Sequence, residues 1–173
     1  MKRALIVVDY QNDFVTGSLG FPEAVSLAGR IVEKMIAYHQ SGDDVLFTMD
    51  THTMDYLQTQ EGQHLPIPHC IKGTKGHALV PQVAEQVQPQ DRFFEKNTFG
   101  SADLLTFLQM RHYSSIELVG VVSSICVLSN AVICKTALPE VPVLVEKACI
   151  AAPDPDLQAA AVAVLKNLQV QIL

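Results

Sequence analysis

A cysteine near the middle of the chain follows a short apolar run, in a position that suits a nucleophile. Residues 117–131 read ELVGVVSSICVLSNA. The β-branched residues up to Val122 are typical of a buried strand, and apolar residues then recur at helical spacing. With Ser123 or Ser124 as the cap, Cys126 would lie at a helix N-terminus, where free N–H groups and the helix dipole lower the pKa of a thiol and can hold an oxyanion. Without other evidence, a small core residue is the commoner role of a cysteine.

Other ionisable side chains stand at the ends of the remaining apolar runs. Asp9 ends the run RALIVVD, and Lys96 ends the run RFFEK. Asp50 and His52 follow a third run of strand-like residues. Ligand sites in open parallel sheets lie beyond the carboxyl ends of the strands. Since the pattern places these four residues and Cys126 at such ends, we expect them to form one site.

The spacing of apolar residues predicts strands that alternate with helices. Strands are predicted at 3–9, 45–49, 92–95, 116–122, 143–146 and 170–173. Helices are predicted over 23–40, 101–110 and 155–168, and from Cys126 onward, with a long aperiodic loop over 53–80. Such alternation indicates an α/β fold, a doubly wound and mostly parallel sheet with helices on both faces.

Composition narrows the class of protein. The 173 residues are 49% hydrophobic with a formal net charge of -6, which suits one domain and argues against a nucleic-acid partner. No apolar run reaches the roughly 18 residues of a membrane span, and the first residues do not resemble a cleavable signal. We therefore expect a cytoplasmic protein with no membrane partner. The four cysteines lack CxxC spacing, so free thiols are expected.

Three motifs carry the candidate residues in a recognisable order. Asp9 opens DYQNDF, Lys96 lies in EKNTFGSA and Cys126 lies in GVVSSICV. In this order and spacing the motifs resemble those of the isochorismatase-like cysteine hydrolases, and within them the nicotinamidases. The resemblance covers nearly the whole chain. It implies a Rossmann-like six-stranded sheet, a single isochorismatase-like hydrolase domain over 1–173, and a homo-oligomer.

The resemblance also implies the roles of the catalytic residues. Cys126 would attack an amide carbonyl, Asp9 would take the thiol proton and pass it to the leaving amine, and Lys96 would stabilise the charges. Those roles agree with the chemistry of the three groups. By the same resemblance the Val121–Val122 peptide bond would be cis, and the N–H groups of Val122 and Cys126 would form an oxyanion hole.

A metal site is predicted from the DTH segment that follows the second strand. Asp50 and His52 are two residues apart and can point the same way at a strand end. The resemblance implies that these two residues and His69 bind a divalent metal, with either Glu61 or His64 as the fourth ligand and Glu61 preferred. Zinc is the first choice, while iron and manganese also suit such ligands. The alternative is that the histidines are solvated loop residues.

These observations predict a metal-containing cysteine amidohydrolase that converts nicotinamide to nicotinic acid and ammonia through a cysteinyl thioester. Its partner would be a small-molecule amide. Phe14 matches an aromatic residue that flanks the ring pocket of relatives and would contact the substrate, although it could instead be a core phenylalanine. The family often has threonine and aspartate where this chain has Ser123 and Ser124. That departure leaves open a hydrolase of isochorismate, or of a carbamoyl or ureido compound. An inactive binding module on the same fold is a further alternative.

Overall fold

A six-stranded sheet runs through the computed structural model, which describes residues 1–173. The strands are β1 (Lys2–Val8), β2 (Asp44–Asp50), β3 (Arg92–Lys96), β4 (Tyr113–Val121), β5 (Val143–Ala151) and β6 (Gln171–Ile172). All neighbouring pairs are parallel, in the order β3-β2-β1-β4-β5-β6. The predicted doubly wound α/β fold is therefore confirmed. β5 is longer than its sequence pattern indicated because a register shift opposite Leu118–Gly120 lets it continue to Ala151.

Eight α-helices and two other helical turns connect the strands. The helices are α1 (Asn12–Val15), α2 (Pro22–Val25), α3 (Ala28–Gln40), α4 (Gln60–His64), α5 (Pro81–Ala84), α6 (Ala102–Gln109), α7 (Leu128–Ala137) and α8 (Pro155–Asn167). A 3₁₀ turn covers Tyr56–Gln58, and a π-helical turn covers Ser123–Val127. None of the helices has the length and apolar character needed to cross a bilayer.

Two predicted helices differ from the observed ones. The helix predicted over 23–40 is split into α2 and α3, and the Ser26 hydroxyl at the break donates to the Glu23 carbonyl at 2.7 Å. A serine can bond to nearby backbone in this way and so compete with helical geometry. The helix predicted from Cys126 begins earlier, as the π-helical turn, and Cys126 lies inside that turn.

The sheet separates two apolar cores. In β1, Leu5 and Val7 pack on the side that carries α1, α2, α3 and α5, while Ala4, Ile6 and Val8 pack on the side that carries α6, α7 and α8. All five of these residues are fully buried. A strand covered on both faces reads as a continuous apolar run, which explains the sequence ALIVV.

The site region is set by the point where the strand order reverses, between β1 and β4. Gly120 brings these two strands into close contact near their carboxyl ends. Its φ is +115°, and a Cβ atom there would lie 2.1 Å from the Val8 carbonyl oxygen. Only glycine fits this position. The close approach places the turn that carries Cys126 beside the end of β1.

Candidate active site

Asp9, Lys96 and Cys126 meet in the crevice beyond the strand ends. Lys96 Nζ lies 2.6 Å from Asp9 Oδ2 and 3.7 Å from Cys126 Sγ. The exposed fractions of the three residues are only 0%, 7% and 6%. The end of β1, the last residue of β3 and the turn after β4 thus supply a carboxylate, an ammonium and a thiol, and the ammonium contacts the other two groups. This is the arrangement needed for a nucleophile with an adjacent base and a stabilising charge.

Asp9 is held in a defined orientation by the neighbouring strand. The Thr48 hydroxyl donates to Asp9 Oδ1 at 2.7 Å, and the Asp9 N–H donates to the Thr48 carbonyl at 3.2 Å. Asp9 has a φ of +45°, in the left-handed region that aspartate tolerates better than most residues. Its other oxygen, Oδ2, is buried and accepts no hydrogen bond of good geometry despite its closeness to Lys96. That oxygen therefore has unused capacity to accept a hydrogen bond.

The charges of the cluster are set by a balance between burial and pairing. Burial raises the pKa of Asp9, against the opposing effect of Lys96. Burial alone would lower the pKa of Lys96, but the charges of Asp9 and Asp50 outweigh it and raise that pKa. The raised pKa keeps Lys96 an ammonium in the resting site, and burial makes Asp9 more basic than an exposed aspartate.

The thiol does not have the lowered pKa expected from a helix N-terminus. Burial raises the pKa of Cys126 well above its usual value, and the charge of Asp9 raises it further, while Lys96 offsets only part of this. The expectation was wrong because sequence shows a helix start but not how completely the sulfur is removed from water. Cys126 is a thiol at rest and must lose its proton as it attacks. Because a protonated thiol reacts slowly, a low rate of reaction between Cys126 and a thiol reagent at neutral pH would not distinguish an active hydrolase from an inactive binding module.

A second cluster lies next to the first and contains the predicted metal ligands. Asp50 Oδ2 lies 2.9 Å from His52 Nε2 and 3.3 Å from His69 Nε2. The candidate ligand atoms of the three residues all lie within 4.8 Å of one another, and all three residues are buried. Ligand atoms around a tetrahedral ion bonded at 2.0–2.1 Å are roughly 3.3 Å apart. The spacing of this cluster therefore fits a divalent metal.

The two candidates for a fourth ligand occupy different positions. Glu61 Oε1 lies 3.9 Å from His52 Nε2 and 3.7 Å from His69 Nε2. His64, three residues later on α4, is exposed, and its Nδ1 lies 2.8 Å from the Gln60 carbonyl. The structure thus brings Glu61 to the cluster and leaves His64 outside it.

Asp50 connects the two clusters. Its Oδ1 lies 3.3 Å from Lys96 Nζ, while its Oδ2 faces the two histidines. Burial opposes ionisation of Asp50, but hydrogen bonds from His52 and His69 and the charge of Lys96 outweigh burial and lower its pKa. His69 is oriented by a contact of 2.8 Å between its Nδ1 and the Ile67 carbonyl, which leaves Nε2 free to face the cluster.

Both clusters open on a small apolar cavity of about 200 Å³. Its walls include Asp50 and His69 together with nine hydrophobic residues, of which Cys126 is one. Phe14 belongs to this wall, and its ring meets the His69 ring edge to face at 5.4 Å between centroids. Pockets for drug-sized ligands measure roughly 300–1,000 Å³. The cavity is therefore suited to a compact molecule.

The backbone before the cysteine has an unusual geometry. The Val121–Val122 peptide bond is cis, at the position indicated by the family resemblance. Val122 and Cys126 both line the cavity. That the N–H groups of these two residues form the oxyanion hole stays a prediction.

Comparison with known proteins identifies the family. The sequence profile of the isochorismatase domain matches residues 3–173. The chain belongs to the isochorismatase family. An isochorismatase-family protein of Bacillus subtilis, PncA, is 35% identical over 147 residues, covering 76% of this chain and 78% of the relative. The nicotinamidase of Saccharomyces cerevisiae is 27% identical over 173 residues, covering 75% of this chain and 80% of the yeast enzyme.

Solved structures of isochorismatase-family members share the whole architecture. The crystal structure of a pyrazinamidase/nicotinamidase from Streptococcus mutans superposes with a TM-score of 0.89 at 27% identity, covering 99% of this chain and 100% of the other. A nicotinamidase structure from Bacillus subtilis superposes with a TM-score of 0.86 at 28% identity, covering 99% of both chains. The likeness extends over every strand that supplies a site residue.

Several residues that hold the site residues of this isochorismatase-family protein in place are hard to recognise from the sequence. Gln11 is fully buried; its Nε2 donates to the Asp50 carbonyl and its Oε1 accepts from the Asp50 N–H, both at 2.8 Å. Asp13 Oδ2 accepts from the Cys70 N–H at 2.8 Å and so holds the backbone next to His69. Both residues belong to the DYQNDF motif, where alternate polar residues after a strand could have indicated this role. Thr48 carries no such signal because it lies inside a strand.

Proposed function

We propose that this isochorismatase-family protein is a metal-containing cysteine amidohydrolase that hydrolyses nicotinamide to nicotinic acid and ammonia. The observation that carries the proposal is the shared contact of Asp9, Lys96 and Cys126 at the wall of an apolar cavity of about 200 Å³. The relatives named nicotinamidase in yeast and pyrazinamidase/nicotinamidase in Streptococcus mutans support the choice of substrate. A pyridine or pyrazine carboxamide is compact enough to suit a cavity of this size.

In the first half of the reaction the Cys126 thiol attacks the amide carbonyl carbon. Asp9 Oδ2, the buried oxygen without a well-aligned partner, takes the thiol proton as the carbon–sulfur bond forms. Lys96 stabilises the negative charge as it moves between sulfur and carboxylate. The N–H groups of Val122 and Cys126 hold the oxyanion. Asp9 then gives its proton to the amine, the carbon–nitrogen bond breaks, and ammonia leaves a thioester on Cys126.

In the second half water attacks the thioester. Asp9, again a carboxylate, removes a proton from the water, and the raised pKa that burial gives it makes it a stronger base. The carbon–sulfur bond breaks and the sulfur recovers the proton from Asp9. The carboxylic acid leaves, and the cysteine, carboxylate and ammonium return to their resting states.

The residues Asp50, His52, His69 and Glu61 would hold the metal. Two imidazole nitrogens with carboxylate oxygens are a donor set suited to zinc, which we propose, and also to iron or manganese. A bound divalent ion would supply a Lewis acid that accepts the ring nitrogen of the substrate. The side chains themselves orient the ring, since Phe14 and His69 form adjacent walls of the cavity and exclude water from it.

Metal content should distinguish the ligands from their neighbours. His69→Ala is expected to lower bound zinc to below a tenth of the wild-type stoichiometry, because it removes an imidazole that faces both Asp50 and Glu61. Glu61→Gln should weaken zinc binding by at least roughly 10-fold, since even the loss of a group that only supports a ligand costs roughly 10-fold to 100-fold. The matched control is His64→Ala, an exposed histidine on the same helix as Glu61, which should bind zinc as the wild type does. Elemental analysis after dialysis against graded chelator measures all three. Loss of zinc from the His64 variant but not the Glu61 variant would reverse the assignment.

The test of the proposed function is ammonia release from nicotinamide by zinc-supplemented enzyme, with pyrazinamide as a second substrate. We expect saturable release from both. Absence of release from either amide, by protein that binds zinc, would contradict the proposal and direct attention to carbamoyl and ureido compounds.

A further inference from the structure

Asn130 lies on α7, one turn beyond Cys126, and connects the turn that carries Cys126 to the loop that carries Phe99. Its Nδ2 donates to the Cys126 carbonyl at 2.8 Å and to the Phe99 carbonyl at 3.2 Å. Its Oδ1 accepts from the Ser101 N–H at 3.1 Å. Phe99 lines the cavity together with Cys126. We propose that Asn130 is a positioning residue, which fixes the cysteine turn and the loop 97–101 in register with each other.

The hydrogen bonds of Asn130 specify one orientation of its carboxamide. Two partners are carbonyls and the third is an N–H, so only one of the two orientations of the amide satisfies all three. The side chain is fully buried, on a helix face that otherwise contributes Ala131 and Cys134 to the apolar core. An amide buried among apolar groups is costly unless it is hydrogen-bonded. Its three bonds are therefore also the reason it is tolerated there.

The loop that Asn130 holds lies directly against α7. A Cβ atom on Gly100 would come within 2.7 Å of Ile133 Cδ1, so the backbone of the loop approaches the helix closely. The next residue, Ser101, caps α6 by accepting from the Leu104 N–H at 3.1 Å. The loop begins immediately after Lys96. The loop 97–101 is the whole segment between Lys96 and α6. Asn130 therefore holds in place the segment that joins the catalytic lysine to that helix.

Two separate consequences follow for the reaction, and they rest on the proposed amidase function. The bond to the Cys126 carbonyl fixes the turn that aims the sulfur, which affects the chemical step. The bonds to Phe99 and Ser101 fix one wall of the cavity, which affects how well the substrate ring is held. A displacement of about 1 Å at a reacting centre can cost roughly 100-fold in rate.

Two substitutions can separate these effects. Asn130→Ala removes all three bonds and is expected to lower kcat at least tenfold and raise KM at least fivefold. In Asn130→Ser the hydroxyl can bond to the carbonyl four residues back, as Ser129 does to Ile125 at 2.7 Å and Thr136 does to Val132 at 2.8 Å. This variant keeps the Cys126 contact and loses the loop contacts. We expect its kcat to stay within about threefold of wild type while KM rises at least fivefold.

The control is Tyr113→Phe, which removes a buried hydroxyl that donates to Asp44 Oδ2 at 2.8 Å at the opposite end of the sheet. It should lower the melting temperature and leave kcat and KM unchanged. If both Asn130 variants also lost only thermal stability, with wild-type kcat and KM, Asn130 would be merely structural and the proposal would be overturned.

A second measurement keeps the inference separate from the proposed function. Alkylation of Cys126 by iodoacetamide at fixed pH, followed by peptide mass spectrometry, needs no substrate. Asn130→Ala should alkylate at least threefold faster than wild type because the loosened turn exposes a sulfur that is now almost buried, while Asn130→Ser and Tyr113→Phe should match wild type. Equal rates in all four proteins would contradict positioning even if nicotinamide proved to be the wrong substrate.

Discussion

Cys126→Ala should abolish ammonia release from nicotinamide, with kcat reduced by roughly 10⁴-fold or more, because Cys126 is the only thiol that lines the cavity. Removal of the nucleophile in hydrolases of this general type costs about this much, and what remains comes from binding and oxyanion stabilisation. Substrate binding should survive, since the metal ligands and Phe14 are untouched. Ammonia release at saturating nicotinamide, with nicotinamide affinity by calorimetry, measures the two effects separately.

The matched control for this substitution is Cys134→Ala. Cys134 is a fully buried cysteine on α7, eight residues after Cys126, and it packs in the apolar core without an ion pair. Its replacement should reduce stability and leave kcat per folded molecule unchanged. The nucleophile assignment would be abandoned if Cys126→Ala retained more than about 1% of the wild-type kcat, or if the two cysteine variants lost activity equally.

The sequence could predict the residues of the site because each lies at the end of a strand or shortly beyond it. Asp9 and Asp50 end apolar runs, Lys96 ends the shorter run RFFEK, and Cys126 comes a few residues after the run that ends at Val122. Parallel strands bring such positions to one edge of the sheet. The six strands were predictable for the same reason. The break between α2 and α3 was harder to predict. A serine such as Ser26 can lie within a helix, and here one local hydrogen bond of its hydroxyl accompanies the break.

Properties that depend on how deeply a side chain is buried, or on contacts between distant parts of the chain, could not be predicted from the sequence. The raised pKa of Cys126 arises from burial beside Asp9, two conditions that only the folded chain creates. The choice between Glu61 and His64 depends on how α4 lies against the cluster, and the segment around it has no clear periodicity. In the sequence Asn130 is a polar residue within a predicted helix, and two of its three partners come from a loop about 30 residues away. In each case tertiary packing decides the role.

The ion pair between Asp9 and Lys96 predicts the second large effect. Asp9→Asn should reduce kcat by roughly 10²–10⁴-fold, because the side chain can no longer take the thiol proton. Lys96→Met should also be nearly inactive, and it should be destabilised by about 3–5 kcal/mol, since it leaves Asp9 as a buried charge near Asp50 without its partner. Loss of the ammonium further raises the pKa of Asp9, so any remaining activity of Lys96→Met should have its acid limb at higher pH than the wild type.

The double variant Asp9→Asn/Lys96→Met separates stability from chemistry. It removes both charges, so the free energy of unfolding should return to within about 1–2 kcal/mol of wild type, whereas ammonia release should stay as low as in the single variants. Urea unfolding of the four proteins gives the coupling energy, and nicotinamide turnover gives the activity. A double variant that recovered both stability and turnover would mean that the pair serves only to hold the strand ends together. If the double variant recovered stability but not turnover, its fold would be intact and only the base and its stabilising charge would be missing. That result would show that the Asp9–Lys96 pair serves the proton transfer.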